Sequence, residues 1–431
     1  WLRTRRFWVQ ILAGAPFIMN KISKLNIVYF LLFFGLIARI LAFIYHSDSN
    51  IDNEWGILLQ NFTSSGIFGY NVAVNEYFAI PKIAEFGERV LPSVFMPPLY
   101  FYFIYVINII SFYLLNTIDL IILIQIFLSL ISIIIFNKIL KSQKEKNSLR
   151  VYLVSIFAFF PINIYATSQI SSITLQVFLI LFFLFYLSKL TMNFKIKDLI
   201  FFSFFSSMLI LIRGEFIFFY FFSLFYFFFF FKKNIKAIII SLIISLILIT
   251  PYLYRNYKSF NTVTLTKSFG YNLLKGNNPE FKVEGNSSFI EEKFQRKDLK
   301  IKTNNKYEIE LDNFYKNKAI DYIKSDPLKY VKFFFYKVIS FLIFDINSSY
   351  PHYFNVFHIV PKIIIAISSL IGAFLSLRKK GFYQFLSIYY FLNIFLFLIF
   401  FILPRYSLIL LPVQLLLSIE SIKVLRRKLM N

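Results

Sequence analysis

The feature that most constrains this chain is the recurrence of unbroken apolar runs along most of its length. Each is near 20 residues and, as a helix, could cross a hydrocarbon core roughly 30 Å thick. The runs are continuously apolar instead of alternating, which sets aside a transmembrane barrel. Composition agrees. The chain is 58% hydrophobic and 16% charged, whereas an ordinary soluble domain carries roughly 25% charged residues. Disorder and coiled coil are excluded by the same balance. The expectation is an all-α, polytopic helical membrane protein with about 10–12 transmembrane helices and two long outward-facing loops.

A net charge of +24 raises nucleic-acid binding, but the placement of the charge argues against it. Lys and Arg cluster in short turns between apolar runs, the pattern of cytoplasmic loops. The chain has no Cys, hence no disulfide, thiolate metal site or Cys nucleophile. Trp1 opens the sequence, while Met19-Asn20-Lys21 reads as an ordinary start just before the first apolar run. The expectation is that the chain is either a fragment or begins upstream of its natural start; residues 1–18 are set outside the fold argument, and residues 1–25 are assigned to a cytoplasmic N-terminus.

The first span is expected from about Asn26 to Tyr45, behind Arg3, Arg5, Arg6, Lys21 and Lys24. A polar outer loop, 46–97, follows, with six acidic residues against Lys82 and Arg89. Further apolar segments lie at about 98–115, 118–137, 149–167, 172–188, 199–212, 215–231 and 237–254, completing a module over 26–254. A second polar segment, 255–330, is read as an outer-face loop. C-terminal helices over 331–431 include spans at about 363–377, 382–403 and 406–422. If 98–115 crossed fully, the basic turn Lys138 to Arg150 would fall outside. If 98–115 and 331–345 are surface or re-entrant helices, every basic turn lies inside, which is the preferred reading.

On this map several polar residues share the outer side: Asp48, Asp52 and Glu54 after the first span, Arg213 and Glu215 in a tight hairpin turn, Arg255 after the span end at Pro251, and Arg405 after Pro404. Arg suits phosphate because its planar fork makes paired hydrogen bonds. A carboxylate suits removal of a proton from a hydroxyl acceptor. Together they point to a lipid-phosphate substrate attacked at the outer leaflet. Leu408, Leu410 and Leu411 would offer a wall for a polyprenyl tail beside Arg405. Each residue also has a plainer reading as a solvated loop acid or an arginine anchoring its helix among headgroups. His46, His352 and His358 lie far apart and form no ligand spacing, so no metal site is expected. No phosphate loop, nucleophile elbow or HExxH motif is present.

The stretch Ile51-Asp52-Asn53-Glu54-Trp55-Gly56 through Gly66-Ile67-Phe68-Gly69-Tyr70-Asn71 resembles the first outer loop of the glycosyltransferase-C superfamily. The similar branch holds protein O-mannosyltransferases and lipid A aminoarabinose transferases, enzymes of the family 39 type. Pro97-Pro98-Leu99-Tyr100, Arg213-Gly214-Glu215, Pro251-Tyr252-Leu253-Tyr254-Arg255-Asn256-Tyr257, Gly270-Tyr271-Asn272-Leu273, Gly276-Asn277-Asn278-Pro279 and Pro404-Arg405-Tyr406 with Pro412 match in order. The resemblance implies an inverting transferase that takes a sugar from a polyprenyl-phosphate donor to a lipid, glycan or protein acceptor. The setting would be the outer, periplasmic face of a bacterial inner membrane. It implies an acid of the first outer loop as general base, Asp52 or Glu54, with Arg213, Glu215, Arg255, Asn256, Arg405 and Tyr406 around the substrate. No metal is required by this scheme, because arginine charge can replace it, though some relatives use one. Relatives often carry an acid in the turn that here reads Gln169-Ile170-Ser171-Ser172. The rival reading is a transporter or flippase of a lipid-linked saccharide.

Overall fold

In hydrocarbon no water is available to backbone N–H and C=O groups, so the apolar runs fold as helices that satisfy them internally. The computed structural model describes residues 26–51, 54–72, 89–111, 116–231, 235–294, 301, 304–345, 347–348 and 354–430. Seventeen α-helices are numbered here in chain order. They are α1 (Asn26–His46), α2 (Glu54–Ser65), α3 (Pro98–Ser111), α4 (Thr117–Ser142), α5 (Asn147–Phe159), α6 (Pro161–Tyr165), α7 (Ile173–Met192), α8 (Ile196–Ile212) and α9 (Phe216–Phe231). The rest are α10 (Ile235–Phe260), α11 (Phe269–Gly276), α12 (Ser287–Lys293), α13 (Tyr307–Ser325), α14 (Pro327–Leu342), α15 (Val356–Leu377), α16 (Phe382–Leu398) and α17 (Ser407–Met430). The one sheet among the described residues is an antiparallel pair, β1 (Gly69–Val72) with β2 (Arg89–Pro92), in the register Gly69 opposite Pro92.

Among the described residues, six helices (α1, α4, α7, α10, α15 and α17) are long and apolar enough to cross a membrane. The helices α5 and α6, bent by 51° at the break between them, make a seventh span if taken as one. Three shorter apolar helices, α3, α9 and α16, complete the apolar set. The protein is an integral, multi-pass membrane protein. The helices α7 and α17 form the middle of the bundle, with 72% of each apolar window buried, whereas α10 lies at the edge with 28%.

Close helix contacts come from small residues, because lipid offers no hydrophobic drive for helices to associate. The face of α15 toward α17 is Ala366, Ser369, Gly372, Ala373 and Ser376, all buried. A methyl group on Gly372 would sit 1.9 Å from the Leu417 carbonyl oxygen, so only glycine permits this approach. A chain of hydroxyls joins α8, α9 and α10: Ser203 to Ser241 at 2.6 Å, Tyr220 to Ser241 at 2.8 Å, and Ser245 to Tyr220 at 2.8 Å.

Two segments expected as surface or re-entrant helices are short helices, and one expected span is redrawn. The segment 98–115 becomes the 14-residue α3, roughly 21 Å long and short of the hydrocarbon core. The segment 331–345 becomes α14, which buries Tyr330, Phe333, Lys337 and Phe341 and exposes Leu328, Val331, Phe335 and Ile339. Its outward face is thus apolar as well, the composition of a helix whose free side meets lipid. The segment 149–167 is not one helix but the α5–α6 pair, broken at Phe160 where Pro161 supplies no N–H.

The two ends of the bundle differ in charge. At one end Lys379 pairs with Glu420, and Lys423 pairs with both Glu145 and Glu420. Tyr383 donates to Glu145 there at 2.9 Å, so three basic turns meet. At the other end α11, α12 and α13 form a cap with its own small core of Leu273, Leu274, Ile290, Phe294, Leu311, Tyr315 and Ala319.

Candidate functional site

The chain leaves α1 at His46 and lies along the turn that follows α6. Asp48 donates its N–H to the Ser168 carbonyl at 3.1 Å and accepts the Ile170 N–H on Oδ2 at 2.7 Å. Gln169 donates its side-chain amide to the His46 carbonyl at 2.7 Å. Beneath this turn Gln125, fully buried in α4, donates to the carbonyls of Thr167 (3.3 Å) and Gln169 (2.9 Å) and accepts from the Tyr100 hydroxyl (3.3 Å). Tyr100 in turn meets Trp55 edge-on, with ring centroids 5.1 Å apart. Trp55 follows Glu54, the exposed first residue of α2. The acid-bearing stretch thus rests on a hydrogen-bonded floor. Asp52, the leading acid of the sequence reading, lies outside the described residues together with Asn53.

The opposite wall comes from α11 and the segment joining α16 to α17. Asn277 donates to the Leu273 and Ile399 carbonyls, both at 2.8 Å, and accepts from the Lys337 ammonium at 3.0 Å. Lys337 also donates to the Phe400 carbonyl at 2.6 Å. Gly276 lets α11 approach, since a methyl there would lie 2.5 Å from the Phe400–Phe401 backbone. This places Lys275 in the wall, its Nζ 4.6 Å above the Phe401 ring. Arg405 stands exposed in the short 3-10 turn Pro404–Tyr406 before α17. Burial holds the Lys275 ammonium below its ordinary pKa, and the nearby charge of Arg405 lowers it further while Glu54 and Glu291 oppose. The charges of Glu54 and Arg405, which are 351 residues apart in sequence, therefore both act on the same lysine. Among the described residues no carboxylate pairs with Lys275 or Arg405.

The other expected arginines are engaged. Arg213 caps α8, is ion-paired with Glu215, and lies 5.1 Å over Phe397 and 5.2 Å over Tyr406. Arg255 does not follow a span end, because α10 runs through Pro251 to Phe260. Its guanidinium donates to the carbonyls of Ser93 (2.6 Å) and Phe68 (2.7 Å) and to Asn256 (2.9 Å). Asn256 donates to the Thr264 carbonyl at 2.7 Å. Arg255 therefore clamps both arms of the first outer loop. Beside it Glu308 of α13, fully buried, accepts the Val94 N–H at 2.7 Å and the Tyr307 hydroxyl at 3.2 Å. Burial pushes the Glu308 carboxyl up to about 7 against these bonds and the Arg255 charge.

The expected wall of Leu408, Leu410 and Leu411 is corrected: these side chains are 1%, 0% and 2% exposed in the bundle interior and are closed to a lipid tail. Among the described residues no group of three or more His, Cys, Asp or Glu side chains is placed to hold a metal. Sequence reasoning passed over Lys275, although it lies inside the Gly270-to-Pro279 stretch that was singled out. It also passed over Glu308, which nothing in a mixed-charge helix marks as buried, and over Arg39, which lies inside the first apolar run.

No family model matches the chain, and no curated protein matches it. Among solved structures, the chain is similar to the Archaeoglobus fulgidus oligosaccharyltransferase in its apo form, at a TM-score of 0.51 and 13% identity. The match covers 95% of this chain and 51% of that one, so the chain spans about half the length of that relative. The likeness is one of fold: the helical framework of this chain is similar to that of part of the oligosaccharyltransferase structure.

Proposed function

We propose that the protein is a membrane glycosyltransferase that moves a sugar from a polyprenyl-phosphate donor to a hydroxyl acceptor at the capped end of the bundle. The observation that carries this reading is Lys275, with its Nζ over the Phe401 ring, and exposed Arg405 four residues beyond Phe401, two cations with no carboxylate ion pair among the described residues. A half-desolvated cation pair is stabilised when an anion binds between its members, and Arg adds the paired donors that phosphate accepts. In the reaction an acid of the loop takes the proton of the acceptor hydroxyl, with Asp52 preferred and Glu54 next. The oxygen attacks the anomeric carbon, the bond from that carbon to the phosphate oxygen breaks, and the electron pair leaves with the phosphate. Arg405 and Lys275 hold the donor phosphate and, more strongly, the charge that develops on it. Arg213, Glu215, Arg255 and Asn256 brace the walls, and Tyr406 packs against Arg213 and Phe397. The acceptor would be a lipid, glycan or protein, and the bacterial inner membrane with its outer face is the setting.

The transporter reading draws on Arg39, a charge inside a span. That side chain is fully enclosed, at 0% exposure, and lines no path. The deciding experiment incubates the purified protein in detergent with a synthetic polyprenyl-phosphate sugar and a hydroxyl acceptor. Consumption of the donor with release of polyprenyl phosphate is expected. A donor left intact under all conditions would remove the transferase reading.

A further inference from the structure

Arg39 is an arginine seven residues before the end of α1, roughly 10 Å down the helix from the capped surface. Its side chain is completely buried, and no carboxylate pairs with it among the described residues. A charge placed so in hydrocarbon is costly, and where one persists it has a task. Its three hydrogen bonds name the task. Nε donates to the Ser129 hydroxyl of α4 at 2.9 Å, while Nη1 donates to the Gly35 carbonyl of its own helix at 3.0 Å and to the Ala158 carbonyl of α5 at 3.1 Å.

Ala158 sits at the break between α5 and α6. Pro161 has no N–H to offer the Phe157 carbonyl, and Phe160 is extended (φ −63°, ψ 119°), so the ladder stops there. Carbonyls freed at membrane depth must find donors. Asn163 supplies one, donating to Phe157 at 3.0 Å. Arg39 supplies the other. The 51° bend that these two side chains hold open sends α6 and the following 3-10 turn, Ala166–Ser168, across α1. That turn receives Asp48 and His46.

We propose that Arg39 is a positioning residue: by holding the α5–α6 break open it sets the height of the turn on which the acid-bearing loop rests. The proposal deepens the transferase reading and rests on it for its catalytic consequence, but its structural half stands on geometry alone. A lysine carries its three donors on one nitrogen and lacks the separate Nε and Nη1 donors with which the planar fork reaches Ser129 and Ala158. Methionine keeps much of the apolar stem and donates nothing.

The chain has no native Cys, so spin labels at Ser49→Cys and Ser171→Cys report the seating of the loop on the turn. In the parent a single narrow distance distribution is expected. In Arg39→Met it should shift or broaden by several ångström, with Arg39→Lys intermediate and Ser129→Ala, which removes only the Nε acceptor, smaller in the same direction. In the transferase assay kcat should fall about 10- to 100-fold in Arg39→Met, since small misplacements cost that much. The donor KM should stay unchanged, because Lys275 and Arg405 are untouched. An unmoved label distance in well-folded Arg39→Met and Arg39→Lys overturns the proposal, whatever happens to the rate. So does a shifted distance with kcat unchanged. A parent protein without transferase activity would sink the proposed function, and the label distance would still judge Arg39 by itself.

Discussion

The two walls of the site are built by opposite means. The floor under Asp48 is a ladder of hydrogen bonds from the Ser168–Ile170 backbone, Gln169 and Gln125, and nearly every polar atom there has a named partner. The wall carrying Lys275 and Arg405 is held from behind by Asn277, Lys337 and the Gly276 contact, while neither charge is ion-paired with a carboxylate among the described residues. The difference teaches what each wall is for. The loop that carries the proposed base must be held in place, which the backbone bonds at Asp48 accomplish. An anion site must be left electrostatically unsatisfied, because a cation already paired with a carboxylate has little left for a phosphate.

The sharpest way to break this comparison is at the base. Asp52→Asn should lose at least about 10²-fold in turnover while the protein still inserts and folds. Near-normal turnover in that variant with an inactive Glu54→Gln would transfer the role to Glu54. Next come the two cations. Arg405→Lys and Lys275→Gln should each lower kcat/KM by about 10-fold or more, the worth of a charge-assisted hydrogen bond. Arg213→Lys, already neutralised by Glu215, should cost far less. Equal losses at Arg213 and Arg405 would erase the distinction between a braced and an open arginine.

A third test addresses the clamp. Arg255→Met leaves the Ser93 and Phe68 carbonyls without their donor, and should destabilise the protein by about 2 kcal/mol, read as a lower Tm in detergent. Its effect on donor KM should be smaller than that of Arg405→Lys. A normal Tm with a weakened donor KM would return Arg255 to the phosphate.

The smallest expected effect is a pH dependence. The folded-state pKa of Glu308 is raised, from an ordinary 4.5 to about 7. Its contribution is therefore fully present below about pH 4.5 and lost as pH rises through 7. Tm should decline between pH 5 and pH 8 in the parent. Glu308→Gln, which keeps an acceptor for the Val94 N–H, should flatten that decline and raise Tm at pH 8 by about 2 °C. A parent Tm independent of pH, or a decline that survives in the variant, would detach Glu308 from the docking of α13.

Much of the framework was legible because hydrophobic length is a local property. The runs at α1, α4, α7, α10, α15 and α17 announce themselves in 20-residue windows, and the basic turns mark one end of the bundle. Legibility failed where a local cue had two readings. Pro251 and Pro161 look alike in sequence, yet α10 runs through the first and the α5–α6 span breaks at the second. The cost of a missing N–H depends on which neighbour is at hand to satisfy the freed carbonyl. At Phe157 and Ala158 the neighbours are Asn163 and Arg39, the second of them 119 residues away from Ala158.

By itself the sequence determined that the chain is helical and that it lives in a membrane, because burial of apolar length acts segment by segment, and the sidedness of lysine and arginine raised the expectation that its acids and arginines gather at one end. Only the tertiary structure decided which of those charges are spent and which are open. Arg213 and Arg255 are consumed by Glu215 and by loop carbonyls. Lys275, unremarkable in sequence, lies over the Phe401 ring with no carboxylate ion pair among the described residues. A charge's availability depends on the acceptors within about 4 Å of it, and those come from parts of the chain that no local window contains.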